Sequence, residues 1–115
     1  DELHIVANMH ERKAMMAERS NAFLALPGGI GTFEEFFEVW TWRQLGYHDK
    51  PIGLLNTSGY YDHMLQFLSS SVTQGFMGEW QMGLIRHSAD IPHLLQELVE
   101  EAGLAPESQN LRHKI

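Results

Sequence analysis

The chain has no cysteine among its 115 residues, which excludes disulfides, thiolate metal sites and a cysteine nucleophile. It contains no apolar run approaching the roughly 18 residues of a membrane span, and no signal-peptide pattern. Positive charge is scarce: 8 Lys and Arg stand against 15 Asp and Glu, a formal net charge of −7. Bulk nucleic-acid binding needs a basic face, so nucleic acid and membrane are not expected partners. A small anionic ligand would instead be held locally, by a few cations and backbone amides. Internal repeats, charge blocks and low-complexity segments are also lacking. The length fits one domain, in which about two-thirds of the unfolded surface can be buried. The expected location is the cytoplasm.

What is present centres on residues 22–38. Ala22 to Leu26 is a continuous apolar run, as in a strand covered on both faces. Pro27 stops the strand, because it cannot donate a ladder hydrogen bond. Gly28, Gly29 and Gly31 are expected to take positive φ and to let another group approach the backbone. Thr32 and Glu35 have capping-box spacing, which starts a helix at Thr32. A glycine loop opening into a helix offers unpaired N–H groups and the positive end of a dipole, both favourable to phosphate.

Around this stretch the pattern alternates strand and helix. Residues 2–7 read as a strand and residues 9–19 as a helix, capped by Asn8, with Arg12 on its apolar stripe and Lys13 beside it. The helix from Phe33 to about Leu45 turns Phe36, Phe37, Trp40 and Leu45 inward and ends at Gly46. Residues 51–56 form a second apolar strand, followed by a helix that stops at Gly75. Residues 76–81 read as a loop with an exposed Trp80. Leu84 and Ile85 form a last short strand, and Asp90 with Pro92 starts a helix to about Ala102. This order implies α/β architecture, a Rossmann-like parallel sheet flanked by helices. Ligands bind such sheets beyond the carboxyl ends of the strands, where the Pro27–Thr32 loop lies. Residues 1–102 form the domain and residues 103–115 a loose tail.

Several strings together carry a family resemblance. They are Pro27-Gly28-Gly29-x-Gly31-Thr32-x-x-Glu35, Met9-His10-x-Arg12-Lys13, Thr41-Trp42-x-Gln44-Leu45-Gly46, Lys50-Pro51-x-Gly53-Leu54-Leu55-Asn56 and Gly59-Tyr60-Tyr61. With them the chain resembles the LONELY GUY family of cytokinin riboside 5′-monophosphate phosphoribohydrolases, often labelled lysine decarboxylase-like. The resemblance implies that Arg12 and Glu35 are the catalytic pair. It also implies that Arg12, Lys13, Gly29, Ile30, Gly31, Thr32, Phe33, Glu34, Glu35 and Thr41 contact the nucleotide, Ile30 and Phe33 being motif positions where the side chain varies. It implies a homodimer with the site near the interface, and helix 33–45 is a plausible contact. Relative to that family the first strand–helix repeats are absent, so the chain is expected to be the C-terminal part of a longer domain.

Each functional reading has a plainer one beside it. Arg12 alone reads as a snorkelling or ion-paired residue, and Thr41 as a tolerated mid-helix threonine. Glu34, Glu35 and Glu38 read as acids favoured near a helix N-terminus. The functional reading makes Glu35 the carboxylate facing a ribose whose 5′-phosphate sits on the 29–32 amides. Seven histidines are scattered without ligand spacing, so no metal is expected. No cofactor is expected either: a decarboxylase would need pyridoxal phosphate on a lysine, and only Lys13, Lys50 and Lys114 exist. The leading expectation is hydrolysis of a nucleoside 5′-monophosphate (a cytokinin ribotide or AMP) to free base and ribose 5-phosphate. The alternative is a non-catalytic nucleotide-binding or sensing module on the same fold.

Overall fold

A computed structural model describes residues 2–6 and 20–103 of the chain. Four strands form one sheet: β1 (Glu2–Val6), β2 (Ser20–Ala25), β3 (Ile52–Leu55) and β4 (Ile85–Ser88). All neighbours pair in parallel, and their spatial order is their chain order. Helix α1 (Ile30–Gln44) joins β2 to β3. Helix α2 (Asp62–Thr73) and the single turn α3 (Glu79–Met82) join β3 to β4, and α4 (Ile91–Glu101) follows β4. The expected Rossmann-like α/β sheet is therefore the architecture of the chain. The expected helix over 9–19 and the tail beyond Gly103 lie outside the described residues.

Strand alternation sorts the core into two layers. Phe23 and Ala25 of β2, Ile52 and Leu54 of β3 and Ile85 of β4 face α1 and α2, meeting Phe36, Val39, Trp40 and Leu68. On the other face Ala22, Leu24 and Leu55 meet Leu94 and Leu98 of α4. Burying each of these leucines contributes roughly 1.5–3 kcal/mol. Gly53 lets α4 come close, because a Cβ there would stand 2.9 Å from Leu98 Cδ1. The Asp90 carboxylate accepts from the His93 N–H at 3.4 Å, as the N-cap expectation required.

Local expectations fail in four places. Helix α1 begins at Ile30 rather than Thr32, with Gly29 as N-cap and no side-chain cap. Its first turn contains no acid, so Glu34, Glu35 and Glu38 do not cap it. Gly29 starts the helix with its backbone carbonyl, which accepts from the Phe33 N–H at 3.0 Å. Second, Phe36 and Trp40 are buried, but Phe37 and Leu45 are 37% and 57% exposed. At about 100° per residue, Phe36, Val39 and Trp40 share one stripe, Phe37 falls to its side and Leu45 lies opposite. Third, residues 76–81 are not all loop: α3 closes on itself when the Gln81 side chain accepts from the Gly78 N–H at 2.7 Å. Trp80 is nevertheless exposed, as expected. Fourth, the last strand runs on to Ser88.

At the end of the sheet where β3 begins, Arg43 donates to the Lys50 carbonyl at 2.8 Å and to Glu101 at 3.0 Å. Glu101 also pairs with Arg86 at 2.9 Å, so one carboxylate ties α1 and β4 to the end of α4.

Close by, the His48 Nδ1 accepts from the Lys50 N–H at 3.1 Å, which leaves Nε2 to donate to the Val39 carbonyl at 3.0 Å. That is neutral imidazole. Burial, helped by the charges of Arg43 and Lys50, holds its pKa below the ordinary 6.5, against the opposing pull of the Val39 bond and Asp49. The unfolded chain therefore takes up this proton first. The stabilisation is full above 6.5 and is lost as pH falls through the folded-state value. The urea midpoint is expected to drop between about pH 7.5 and 5.5, and His48→Gln to flatten that slope. An unchanged slope in the variant would assign the drop to other groups.

Candidate active site

The glycine loop leaves the carboxyl end of β2 and enters α1 within four residues, from Leu26 to Gly29. None of its glycines takes positive φ: Gly29 has φ −114°, and the positive-φ glycines are 46, 59, 75 and 103. Closeness is what requires glycine here. A Cβ on Gly28 would stand 2.4 Å from Thr32 Oγ1 and 3.0 Å from Thr32 Cβ. Thr32 thus packs down on Gly28 instead of capping the helix. A Cβ on Gly29 would meet nothing within 4 Å, so the backbone there opens to its surroundings.

Glu35 lies in the second turn of α1 and is 1% exposed, the one charged side chain in the buried core among the described residues. It is buried because it flanks the Phe36–Val39–Trp40 stripe. A carboxyl group is costly to remove from water, so its place here, three residues after Thr32, singles it out chemically. Its neighbour Glu34 is exposed, as is Ile30 at the mouth of the loop. Phe33 is partly buried and meets Tyr61 edge-on, with ring centroids 6.3 Å apart.

The neighbouring strand supplies the support. The Tyr60 hydroxyl donates to the Gly28 carbonyl at 2.5 Å, and the Tyr61 hydroxyl donates to the Leu26 carbonyl at 2.6 Å. Burial pushes the Tyr61 phenol above its ordinary range, keeping it a protonated donor, although a Gly28 backbone contact acts the other way. Sequence reasoning assigned these tyrosines no role. Their position immediately after an apolar strand was the signal, since that places them at the same edge as the glycine loop.

The structure gathers Gly29, Ile30, Gly31, Thr32, Phe33, Glu34 and Glu35 at one place. It does not bring Thr41 to them. Eleven residues separate Thr41 from Ile30, about 16 Å along the helix. Its hydroxyl donates to its own helix, to the Phe37 carbonyl at 2.7 Å. There it lines a cleft of about 240 Å³ with Phe37, Trp40, Gln44, Phe76 and Gln81. Arg12 and Lys13 lie outside the described residues. Among the described residues there is no cluster of three metal-ligating side chains, and no helix is long and apolar enough to cross a membrane.

A family model described as possible lysine decarboxylase matches residues 1–99. The chain belongs to this family. Its similarity extends to the LONELY GUY proteins. It is 50% identical over 101 residues to the cytokinin riboside 5′-monophosphate phosphoribohydrolase LOG3 of Arabidopsis thaliana, covering 88% of this chain and 47% of that one. It is 52% identical over 99 residues to the probable phosphoribohydrolase LOGL9 of Oryza sativa subsp. japonica, covering 86% and 44%. The Arabidopsis protein LOG6, also a probable phosphoribohydrolase, is 59% identical over 76 residues, covering 66% and 38%. The chain spans about half the length of the curated relatives it matches.

Proposed function

We propose that the protein hydrolyses the N-glycosidic bond of a nucleoside 5′-monophosphate, a cytokinin ribotide or AMP, to free base and ribose 5-phosphate. The observation that carries this reading is the buried Glu35 carboxyl group in the second turn of the helix that the open glycine loop enters. The 5′-phosphate rests on the amides of residues 29–32, at the positive end of the α1 dipole. Cleavage sends the C1′–N electron pair to the base, which gains a proton, and leaves oxocarbenium character on the sugar. Water then bonds to C1′ and loses its own proton. Glu35 stabilises the cationic sugar and orients the water. Arg12 and Lys13 bring positive charge to the nucleotide, as the resemblance implies.

Thr41 enters the same reading through a homodimer. On one chain it lies about 9 Å along α1 from Glu35, and its hydroxyl donates to the Phe37 carbonyl. Two chains meeting through the exposed aromatic flank of α1 would bring one chain's Thr41 to its partner's loop. The decarboxylase chemistry in the family description has less support. Lys50 precedes β3, at the opposite end of the sheet from the loop, and Lys13 and Lys114 lie outside the described residues.

The test is release of base and ribose 5-phosphate from AMP and from isopentenyl-AMP by the full-length protein. Arg12→Ala is expected to lose turnover with little change in melting temperature. A large drop in melting temperature would make Arg12 an ion-pair residue of the fold. Binding of both nucleotides without turnover by wild type would establish the sensing module instead.

A further inference from the structure

The turn between β3 and α2 is more elaborate than a connection needs. Ser58 has φ 54° and Gly59 φ 71°, so two successive residues take the left-handed region, which is unfavourable for serine. A Cβ at Gly59 would also stand 2.6 Å from Asp62 Oδ2, so the Asp62 carboxylate would have to move. Asn56 holds the turn from inside: its Oδ1 accepts from the Tyr61 N–H at 2.6 Å and its Nδ2 donates to Asp62 Oδ1 at 2.8 Å. The Asn56 N–H in turn donates to the Ser88 carbonyl at 2.9 Å, which anchors the turn to β4.

What this construction presents is a pair of phenols. Tyr61 is 2% exposed and part of the core, whereas Tyr60 is 53% exposed. The two rings meet edge-on with centroids 4.8 Å apart, so the buried ring steadies the exposed one. Tyr60 nonetheless turns its hydroxyl onto the Gly28 carbonyl. In a trans peptide the C=O and the next N–H point in opposite directions, and no cis peptide occurs among the described residues. Holding the Gly28 oxygen therefore sets where the Gly29 N–H points. The Gly29 carbonyl is committed to α1 through the Phe33 N–H, so both peptide units flanking Gly29 are fixed.

We propose that Tyr60 is a positioning residue of the anion site: by holding the Gly28 carbonyl it aims the Gly29 amide at the substrate's phosphate, while Tyr61 fixes the root of the loop at Leu26. The proposal rests on the phosphate placement given above. Neither tyrosine touches the substrate in this arrangement. Both act through the backbone, so their contribution is to binding of the phosphate in ground state and transition state alike. Its signature is a raised KM with a nearly constant kcat.

Tyr60→Phe in the full-length protein keeps the exposed ring and its packing and removes only the hydroxyl. With AMP, KM is expected to rise about three- to tenfold, the loss of about one hydrogen bond's worth of orientation, while kcat changes less than about twofold. The dissociation constant of ribose 5-phosphate, measured by calorimetry, is expected to rise by the same factor, with the melting temperature essentially unchanged. Hydrolysis by wild type with unchanged KM and product affinity in the variant would overturn the positioning role and leave the hydrolase reading intact. Absence of hydrolysis, with ribose 5-phosphate bound by wild type and weakened in Tyr60→Phe, would sink the hydrolase reading and uphold the positioning role. Failure of wild type to bind ribose 5-phosphate would overturn the proposal, as would a fall in kcat matched by a fall in melting temperature.

Discussion

Glu35→Gln is expected to lower base release from a nucleoside 5′-monophosphate by about 10²–10⁴-fold, the range for loss of a positioned acid–base carboxylate. Glutamine has almost the same shape, so the packing around a side chain that is 1% exposed is retained. What disappears is the charge proposed to stabilise the sugar as its glycosidic bond breaks. The interaction belongs to the transition state, so kcat and kcat/KM should fall together, with nucleotide binding preserved. Denaturant unfolding should show a change of no more than about 1 kcal/mol, because the amide can make hydrogen bonds where the carboxylate did. A variant that keeps turnover would remove Glu35 from the chemistry. A variant that unfolds would make it a structural residue of the α1–sheet packing.

The two roles compete because of where the helix starts. The motif's Thr-x-x-Glu spacing satisfies a capping box on paper, and a helix starting at Thr32 would have placed Glu35 in its first turn. With the helix starting at Ile30, Glu35 lies in the second turn, and its burial follows from its angle beside the Phe36–Val39–Trp40 stripe rather than from any cap. The strands were legible for the opposite reason. Residues 22–26 and 51–56 are short apolar runs bounded by proline and polar residues, so sheet membership follows from composition alone. The same holds for the Asp90–Pro92 start of α4, whose cap is made by its own side chain. Tertiary pairings were not legible. The Tyr60 and Tyr61 hydroxyls reach carbonyls 32 and 35 residues earlier in the chain, and no spacing rule encodes such a bond. The aromatic residues of α1 illustrate the limit within one helix. Hydrophobicity marked Phe36, Phe37, Trp40 and Leu45 alike, and only the helical angle separates the buried pair from the exposed one.

The adjacent glycines give the second large effect, and they should fail in different ways. Gly28→Ala puts a Cβ 2.4 Å from Thr32 Oγ1 and 3.0 Å from Thr32 Cβ. Rotating the threonine relieves the first contact but not the second, because Cβ does not move with χ1, so the start of α1 must shift. The expected cost is about 1–3 kcal/mol of stability, as for other overpacked sites. A fall in kcat/KM of at least about tenfold should accompany it, since the displaced turn carries the amides proposed to hold the phosphate. Gly29→Ala meets nothing within 4 Å and sits at φ −114°, so the expected cost is only that of alanine at an N-cap, up to about 1 kcal/mol. Yet the added methyl stands where a phosphate would approach the Gly29 N–H. Affinity for ribose 5-phosphate should therefore fall by at least about tenfold, with the urea midpoint moved less than in Gly28→Ala. Measured side by side, the pair separates space taken from the protein from space taken from the ligand. Equal loss of stability in both would mean that the loop is simply a tight turn. Full phosphate affinity in Gly29→Ala would place the anion elsewhere.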